Sequence, residues 1–226
     1  MEPTKRSLSC LESIPDDMLR LTISKVGSAS STDFINSLLT CKSMNFSVDD
    51  PLIAKDLSLA PLVKKPLLAN RYKKLMDSCL GAKNVDAHYV KGTLEYFYFK
   101  NQLLGLHHLR LASKGGQKEG RYLYGLILMA LGMIEKGKKI LTKLTDEEGI
   151  ASVKNIWETI QNSLSELNVQ MKDVYEKSYA SMKPEVNCHP QEINSVCAKC
   201  FHFYLMSDFF EMVIGLSPAS ATGKKD

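Results

Sequence analysis

The sequence lacks a long apolar run. Its longest uncharged apolar stretch, from Tyr122 to Ile134, has 13 residues, whereas a helix that spans a membrane needs about 20. We therefore expect a buried helix there and no membrane partner. The N-terminus has charges and a proline where a secretory signal peptide has an apolar segment. This favours a reducing compartment, the nucleus and/or the cytoplasm.

The sequence also lacks a strong charge of either sign. Its 29 basic and 25 acidic side chains leave a formal net charge of +4, which is too small to indicate nucleic-acid binding. Hydrophobic residues make up 44% and charged residues 24%, as in ordinary globular proteins. The six cysteines do not predict disulfides, because thiols stay reduced in such a compartment.

Sustained strand alternation and Asn-Gly hairpin signals are absent, so we predict an all-α fold. The apolar positions of residues 16–26 follow helical spacing, with Pro15 in the first turn and Gly27 as the predicted end. Residues 30–33 supply the capping chemistry of a second helix, which we extend to Leu39. The aromatic run at 96–99 lies within a longer helical pattern, so we assign it to a helix as well.

A long helix is predicted over residues 146–180. Residues 145–148 read T-D-E-E, the pattern of a capping box. Apolar residues then recur at alternating spacings of four and three, which is a heptad seam: Val153, Trp157, Ile160, Leu164, Leu167, Met171 and Val174. Two possibilities stay open, a coiled-coil dimer or an amphipathic helix packed on its own domain.

The N-terminal region carries a spaced motif in the strings IPDDMLRLTISKV and STDFINSLLTCKSMNF. It resembles an F-box, whose pattern opens with Leu-Pro and continues to an Asp-Leu pair followed by Cys-Lys. Ile14-Pro15 stands at the opening, Asp33-Phe34 at the second pair and Cys41-Lys42 at the third. Thr22 and Ser37 stand where the family usually has larger apolar residues, and they make this surface more polar.

The resemblance implies a three-helix F-box over residues 13–60 that binds the Skp-type adaptor of a cullin–RING ubiquitin ligase. A unit of about 40 residues buries its apolar surface poorly by itself, and we expect it to offer a groove to helices of that partner. The expected contact residues are Ile14, Pro15, Met18, Leu19, Ile23, Val26, Phe34, Leu38, Leu39, Cys41 and Lys42. Cys41 is expected to pack as a small apolar residue. The alternative is an ordinary helical hairpin of the main core.

Two segments in the middle of the chain repeat each other. Tyr89 and Gly92 recur 33 residues later as Tyr122 and Gly125. Further on, the offset falls to 32, so that one residue is lost between the copies; the later positions are Gly105, Leu109 and Ala112 in the first copy and Gly137, Leu141 and Leu144 in the second. A period near 33 is typical of a helix–turn–helix repeat.

Each repeat unit is predicted to have two helices. The first helices start near Ala87 and Gly120, and the second near Leu103 and Glu135. Glycine costs about 1 kcal/mol inside a helix relative to alanine. Its recurrence at one helical position therefore indicates that two helices approach closely there.

The repeats resemble Sel-one-like and tetratricopeptide-like repeats. The string AHYVKGTLEYFYFKNQLLGLHHLRLASKG, followed by YLYGLILMALG, looks like the repeat region of small plant F-box proteins. The resemblance covers roughly residues 13–212 and does not identify a substrate. Such a solenoid normally binds another protein, and the predicted long helix is a plausible cap for its last unit.

Two polar clusters of the repeat region have alternative interpretations. A basic helix face is formed by Lys136, Lys138, Lys139 and Lys143. It is either a solvated face or a docking patch for an acidic partner or RNA, although no aromatic-interleaved RNA motif accompanies it. His107 and His108 are adjacent, and adjacent side chains point in different directions on a helix. We therefore assign them packing or surface roles rather than a metal site.

Five potential zinc ligands lie close together near the C-terminus: Cys188, His189, Cys197, Cys200 and His202. The C-x-x-C spacing suits one half of a structural zinc site, but the second cysteine pair is missing. The alternative is a helix over residues 197–214 whose apolar residues pack on the repeats. A redox role for the pair is the least favoured, since no βαβ context accompanies it.

Together these patterns divide the chain into six parts. They are a flexible N-terminus (1–12), the F-box (13–60), a linker and helix (61–84), the repeat region (85–145), a capping helix with a cysteine-containing end (146–214) and a disordered tail (215–226). We predict a non-enzymatic adaptor without a cofactor, which recruits an unidentified protein target to an SCF-type ligase. The alternative is a helical-repeat scaffold protein that no longer joins a ligase.

Overall fold

The fold is built from helices, without strands, in residues 14–40, 47–183 and 198–215, which a computed structural model of the chain describes. The prediction of an all-α fold is confirmed. None of the helices in these ranges is long and apolar enough to cross a bilayer.

Three helices form the N-terminal unit: α1 (Asp16–Ala29), α2 (Ser31–Thr40) and α3 (Pro51–Asp56). The predicted cap of α2 is confirmed, because the Asp33 amide donates to the Ser30 hydroxyl at 3.1 Å. The prediction that Gly27 ends α1 is wrong. Gly27 is buried within α1 between Phe34 and Leu57, and its carbonyl accepts a hydrogen bond from the Ser58 amide at 2.9 Å.

The segment predicted as a linker and helix (61–84) is largely helical. It forms α4 (Ala60–Lys64), a short 3₁₀ turn (Pro66–Arg71) and α5 (Lys73–Gly81). Leu62 and Val63 are buried in the core. Prolines at 61 and 66 stand in the first turns of these short elements, where a missing amide hydrogen costs nothing.

The two predicted repeat units are present as consecutive helix pairs. The first unit comprises α6 (Val85–Thr93), a π-helical turn (Leu94–Tyr98) and α7 (Gln102–Lys114). The second comprises α8 (Lys118–Ala130) and α9 (Ile134–Glu148). Within each unit the two helices pack on each other, and α7 packs on α8.

Glycines set the distance between the paired helices, as the sequence predicts. A Cβ atom on Gly92 would stand 2.8 Å from the Leu109 amide nitrogen, and one on Gly105 would stand 2.6 Å from the Tyr96 nitrogen. In the second unit, a Cβ atom on Gly137 would stand 2.5 Å from the carbonyl oxygen of Gly125. Only glycine permits these main-chain approaches.

The π-helical turn accounts for the one extra residue of the first repeat unit, which changes the offset between the two copies from 33 to 32. A π turn adds one residue to a helix without adding a full turn. The turn lies between Gly92 and Gly105, the interval in which the first unit is one residue longer than the second.

The prediction of one long helix over 146–180 is wrong. α10 (Ile150–Ser165) and α11 (Asp173–Met182) are separated by residues 166–172. The capping box is wrong too: residues 145–148 end α9, and the Thr145 hydroxyl donates to the Leu141 carbonyl at 2.8 Å. Gly149 separates α9 from α10 with a φ of 81°. Residues that carry a side chain rarely adopt this backbone conformation.

The heptad seam packs within the chain rather than offering a coiled-coil face along α10. Val153, Trp157, Ile160 and Leu164 are buried, and α10 lies on α8 and α9. The last described helix, α12 (Ala198–Val213), packs on α8 and α11 through Phe201, Leu205 and Phe209. This agrees with the helical interpretation of the C-terminal end.

Candidate interaction surfaces

Polar contacts hold the helices of the N-terminal unit together. The guanidinium of Arg20 on α1 forms an ion pair with Asp50 at 3.0 Å. Asp50 also caps α3 by accepting a hydrogen bond from the Leu52 amide at 3.0 Å. The Ser24 hydroxyl donates to the Leu52 carbonyl at 3.3 Å. These contacts fix α1 on the start of α3.

The start of α6 joins the N-terminal unit to the repeats. The buried Asn84 amide donates to the carbonyls of Ala54 and Leu57 at 2.9 and 2.8 Å, while its oxygen caps α6 through the Ala87 amide. Asp86 accepts from the Leu59 amide at 3.0 Å. These bonds are buried or half-buried. The buried apolar residues of the N-terminal unit and of the repeats also belong to one common core.

The N-terminal unit exposes large apolar side chains, most of them on two helices; Leu52 on α3 is exposed as well. Met18 and Leu21 on α1 are 57% and 46% exposed, and Ile35 and Leu39 on α2 are 54% and 80% exposed. Each pair has the three- or four-residue spacing that places side chains on one helix face. We call these four residues the N-terminal apolar surface. Leu21 and Ile35 were not predicted as contact residues, although their spacing from Met18 and Leu39 was the available signal.

The predicted adaptor-contact residues fall into several groups. Pro15, Met18 and Leu39 are exposed, and Ile14 and Val26 are half-buried. Leu19, Ile23 and Phe34 are buried in the chain's own structure, so they support the surface from beneath. The side chain of Leu38, and Cys41 and Lys42, lie outside the described residues.

Both residues that depart from the F-box pattern bond to their own helices. The Thr22 hydroxyl donates to the Met18 carbonyl, and the Ser37 hydroxyl donates to the Asp33 carbonyl, each at 2.8 Å. Thr22 is exposed beside Met18 on α1. It therefore adds a polar group to the face that carries half of the N-terminal apolar surface.

A second exposed apolar group lies where the first repeat unit turns. Tyr98 ends the π-helical turn and Phe99 follows it, with their rings edge to face and 5.0 Å between centroids. Leu103, on the first turn of α7, is 85% exposed. We call these three residues the aromatic corner. The sequence predicts a helix here but not the π turn that leads into the corner.

The histidines of the first unit pair across its two helices. His88 on α6 and His108 on α7 share a hydrogen bond of 2.9 Å between their Nδ1 atoms. Burial and neighbouring histidines together lower the pKa of both, that of His108 to about 4. Both rings are therefore neutral at neutral pH, and their contact joins α6 to α7.

The basic face of α9 is partly neutralised by its own helix. Lys138 pairs with Glu135 at 2.9 Å, and Lys143 approaches Glu147 at 3.8 Å. Exposed pairs of this kind contribute about 0.3–0.5 kcal/mol each. The face matches the solvated alternative better than a free docking patch.

The predicted zinc ligands lie mostly outside the described residues, as Cys188, His189 and Cys197 do. Cys200 is buried on α12, and His202 contacts the Thr142 hydroxyl at 3.0 Å. Within the described ranges no three histidine, cysteine or acidic side chains could share a metal. Zinc binding at this end stays a prediction.

Cys79 on α5 is a packing residue. It is fully buried, and burial together with the charge of Asp86 raises the pKa of its thiol to about 11. Since the thiolate is the nucleophile, this cysteine is unreactive at neutral pH.

The chain is similar to a family of plant repeat proteins and to F-box proteins. Residues 60–164 match the family described as plant tetratrico peptide repeats, which supports the tetratricopeptide-like interpretation; the Sel-one-like one stays a prediction. F-box protein At2g35280 of Arabidopsis thaliana is 41% identical over 144 residues, 64% of this chain and 88% of the relative.

Two further relatives from the same plant carry the F-box name. At1g67623 is 32% identical over 173 residues, 76% of this chain and 55% of the relative. At1g67340 is 32% identical over 95 residues, 41% of this chain and 25% of the relative. No solved structure matches the chain.

Proposed function

The chain belongs to the family of plant F-box proteins, and on that premise we propose that it is a substrate-recognition adaptor of an SCF-type cullin–RING ubiquitin ligase. Its N-terminal unit binds the Skp-type subunit, and its helical repeats recruit a protein target. The observation that supports this most strongly is the N-terminal apolar surface, since four large apolar side chains stand in solvent on a small helical unit. Burying apolar area on a partner contributes roughly 25 cal/mol per Å².

The junction at Asn84 suits such an adaptor. Its buried hydrogen bonds to Ala54 and Leu57 attach the docking unit rigidly to the repeats. A bound target would then be held in one orientation relative to the ligase. The contribution to ubiquitin transfer is proximity, which raises the effective concentration of target lysines near the conjugating enzyme.

The test is direct binding of the purified full-length chain to a Skp-type subunit. Met18→Lys with Leu39→Lys places charge on the N-terminal apolar surface without disturbing the core, because both side chains are exposed. We expect binding to weaken about tenfold or more, which corresponds to about 1.4 kcal/mol. Leu103→Lys is the matched control, since it charges an equally exposed leucine on the aromatic corner. Equal binding by all three proteins contradicts the proposal.

A second candidate function is a helical-repeat scaffold that joins no ligase. The observation in its favour is the exposed Thr22, which makes the docking face more polar. The same measurement separates the two. A folded wild-type chain that binds no Skp-type subunit favours the scaffold, and Thr22→Ile would then be expected to restore binding.

A further inference from the structure

An open apolar groove lies between α2, α4 and α5. It encloses about 240 Å³, whereas small-molecule sites typically enclose roughly 300–1,000 Å³. The buried side chains of Phe34, Leu57 and Leu62 line it, and so do those of Ile35 and Tyr72, which are 54% and 52% exposed. None of the described residues that line it is charged. The groove therefore suits one large apolar side chain better than a whole small molecule.

The segment that forms one wall of this groove is basic. Residues 57–76 contain five basic side chains and no acidic one. All five are exposed, and none forms an ion pair with another described residue: Lys64, Lys65, Arg71, Lys73 and Lys74. Lys74 stands near Asp49, whose pKa is lowered by the hydrogen bond from Ser78 and also by the charge of this lysine. The segment thus carries positive charge that the described part of the chain leaves unpaired.

Helix geometry places two of these cations beside the groove. Pro61 and Leu68 both line it. Lys64 follows Pro61 by three residues on α4, and side chains at this spacing lie on one helix face. Arg71 follows Leu68 by three residues in the 3₁₀ turn, where side chains at this spacing are eclipsed. We call Lys64 and Arg71 the basic rim.

We propose that this groove binds a segment of a protein partner in which one large apolar side chain is flanked by carboxylates. The apolar side chain fills the groove, as an anchor residue fills a pocket in other protein interfaces. The carboxylates pair with the basic rim through charge-assisted hydrogen bonds, and the opposite charges of the two surfaces fix the position of the segment. The binding chemistry does not depend on the ligase. Only the partner's role as a target rests on the proposed function.

Other occupants fit the groove less well. A nucleic acid matches the charge of the basic rim but leaves the apolar groove unfilled. An anionic membrane attracts basic residues, but it takes up side chains that protrude from a surface, whereas Phe34 and Leu62 are buried. The chain's own residues 41–46, which precede Val48 of the groove wall, contain a lysine and no carboxylate. They therefore lack the charge that the basic rim calls for.

The test is titration of a peptide into the full-length protein, followed through the amide signals of the protein in NMR. The peptide Ser-Glu-Asp-Phe-Asp-Glu-Ser carries an apolar side chain between acidic residues. One control peptide has Ser in place of Phe, and the other has Gln and Asn in place of the acids. We expect saturable binding of the acidic Phe peptide and binding weaker by about tenfold or more with each control peptide. No binding of the acidic Phe peptide, or equal binding of all three, overturns the proposal.

Charge reversal locates the carboxylates of the peptide. Lys64→Glu with Arg71→Glu is expected to weaken binding of the acidic Phe peptide by about tenfold or more. The matched control is Arg110→Glu with Lys136→Glu, which changes an arginine and a lysine that are likewise exposed and without an ion pair to a described residue. Equal binding by the two double variants contradicts the proposal.

A second pair of variants locates the apolar side chain of the peptide. Tyr72→Ser removes an exposed ring from the groove wall, and we expect binding to weaken several-fold. Tyr98→Ser is the control, because Tyr98 is 49% exposed at the aromatic corner. Since all the substituted side chains are exposed, the fold should be kept, and thermal unfolding checks this. Unchanged binding by folded Tyr72→Ser also contradicts the proposal.

Two further measurements separate the remaining occupants. We expect Phe46→Ala to bind the peptide as wild type does. If this variant instead tightens binding by about tenfold, the chain's own segment is the occupant and the proposal is overturned. We also expect no co-sedimentation with vesicles of phosphatidylcholine and phosphatidylserine. Co-sedimentation that Lys64→Glu with Arg71→Glu abolishes would assign the groove to a membrane and overturn the proposal. These experiments contain no ligase subunit, so their failure and the failure of adaptor binding are separate results.

Discussion

The two repeat units share their glycine contacts but differ in their turns and in the surroundings of their tyrosines. Gly92 with Gly105, and Gly125 with Gly137, bring each helix pair into main-chain contact. The first unit then inserts a π-helical turn and exposes an aromatic corner, while the second leaves the buried Tyr122 hydroxyl without a hydrogen-bond partner among the described residues. The comparison teaches that the contacts which set the distance between helices are kept, while the turns and the buried hydroxyl groups of the two copies diverge.

Disrupting the glycine contacts that both units share should have the largest effect on the stability of the protein. Gly105→Ala and Gly137→Ala each place a methyl group within 2.6 Å of main-chain atoms of the partner helix. Overpacking of this kind costs about 1–3 kcal/mol, so we expect both units to lose stability similarly in chemical denaturation. Gly81→Ala is the control, because no atom lies within 4 Å of its added methyl group. A loss in only one unit would show that the glycine contacts are not equivalent.

Removing the hydroxyl group of each tyrosine should change the free energy of unfolding differently in the two units. Tyr89→Phe removes the hydrogen bond to Ser163, and we expect a loss of about 1 kcal/mol. Tyr122→Phe removes a hydroxyl with no described partner, so the free energy of unfolding should stay unchanged or rise. An equal loss in both variants would mean that Tyr122 is satisfied within the free protein.

The half-buried carboxylate of Asp208 on α12, the helix that packs on α8 of the second unit, makes the stability of the protein depend on pH. Asp208 has a pKa raised by burial from 3.8 to about 6, so the folded protein holds this proton more tightly than the unfolded chain. Between these values the unfolded chain binds fewer protons, and the contribution of Asp208 to stability falls as pH rises. Asp208→Asn should therefore be more stable than wild type at pH near 7 by about 1 kcal/mol after solvent screening.

Unfolding curves of wild type and Asp208→Asn at pH near 4 and near 7 measure this difference. The advantage of the variant should disappear at the lower pH, where the wild-type side chain is protonated as well. A difference that does not change with pH would rule out the raised pKa.

The aromatic corner should matter least for stability. Leu103→Ser changes a side chain that is 85% exposed, and surface substitutions of this kind stay within about 0.5 kcal/mol. Thermal unfolding of the variant measures the effect. A loss above about 1 kcal/mol would show that Leu103 packs on the chain in solution.

The sequence predicts those helices whose residues recur between the repeat copies or follow the helical period. The spacing of Tyr89 and Gly92 from Tyr122 and Gly125 located both helix pairs and their contacts. It did not reveal the π turn, which shows only as one extra residue between Gly92 and Gly105 in the comparison of copies.

The ends of helices and the exposed surfaces were harder to predict, because they depend on contacts between residues that are distant in the sequence. The T-D-E-E pattern has the composition of a helix start, but Gly149 follows it and takes the positive φ that separates α9 from α10. Leu19 and Phe34 fit a docking pattern and are nevertheless covered by the chain itself. The cavity lined by Tyr122, Trp157 and Asp208 joins α8, α10 and α12, and no local period in the sequence links these three helices.

The central claim is that the N-terminal unit docks to a ligase while the rest of the chain selects targets. Removal of residues 1–60 would test it poorly, since Asn84 would lose its partners at Ala54 and Leu57. The direct measurement is a mass-spectrometric comparison of proteins that co-purify from plant cells with the full-length wild type and with Met18→Lys, Leu39→Lys. We predict that Skp-type and cullin subunits fall about tenfold or more in the variant while other partners remain. Ligase subunits that are equally abundant with both proteins, or absent from the wild type, would contradict the account.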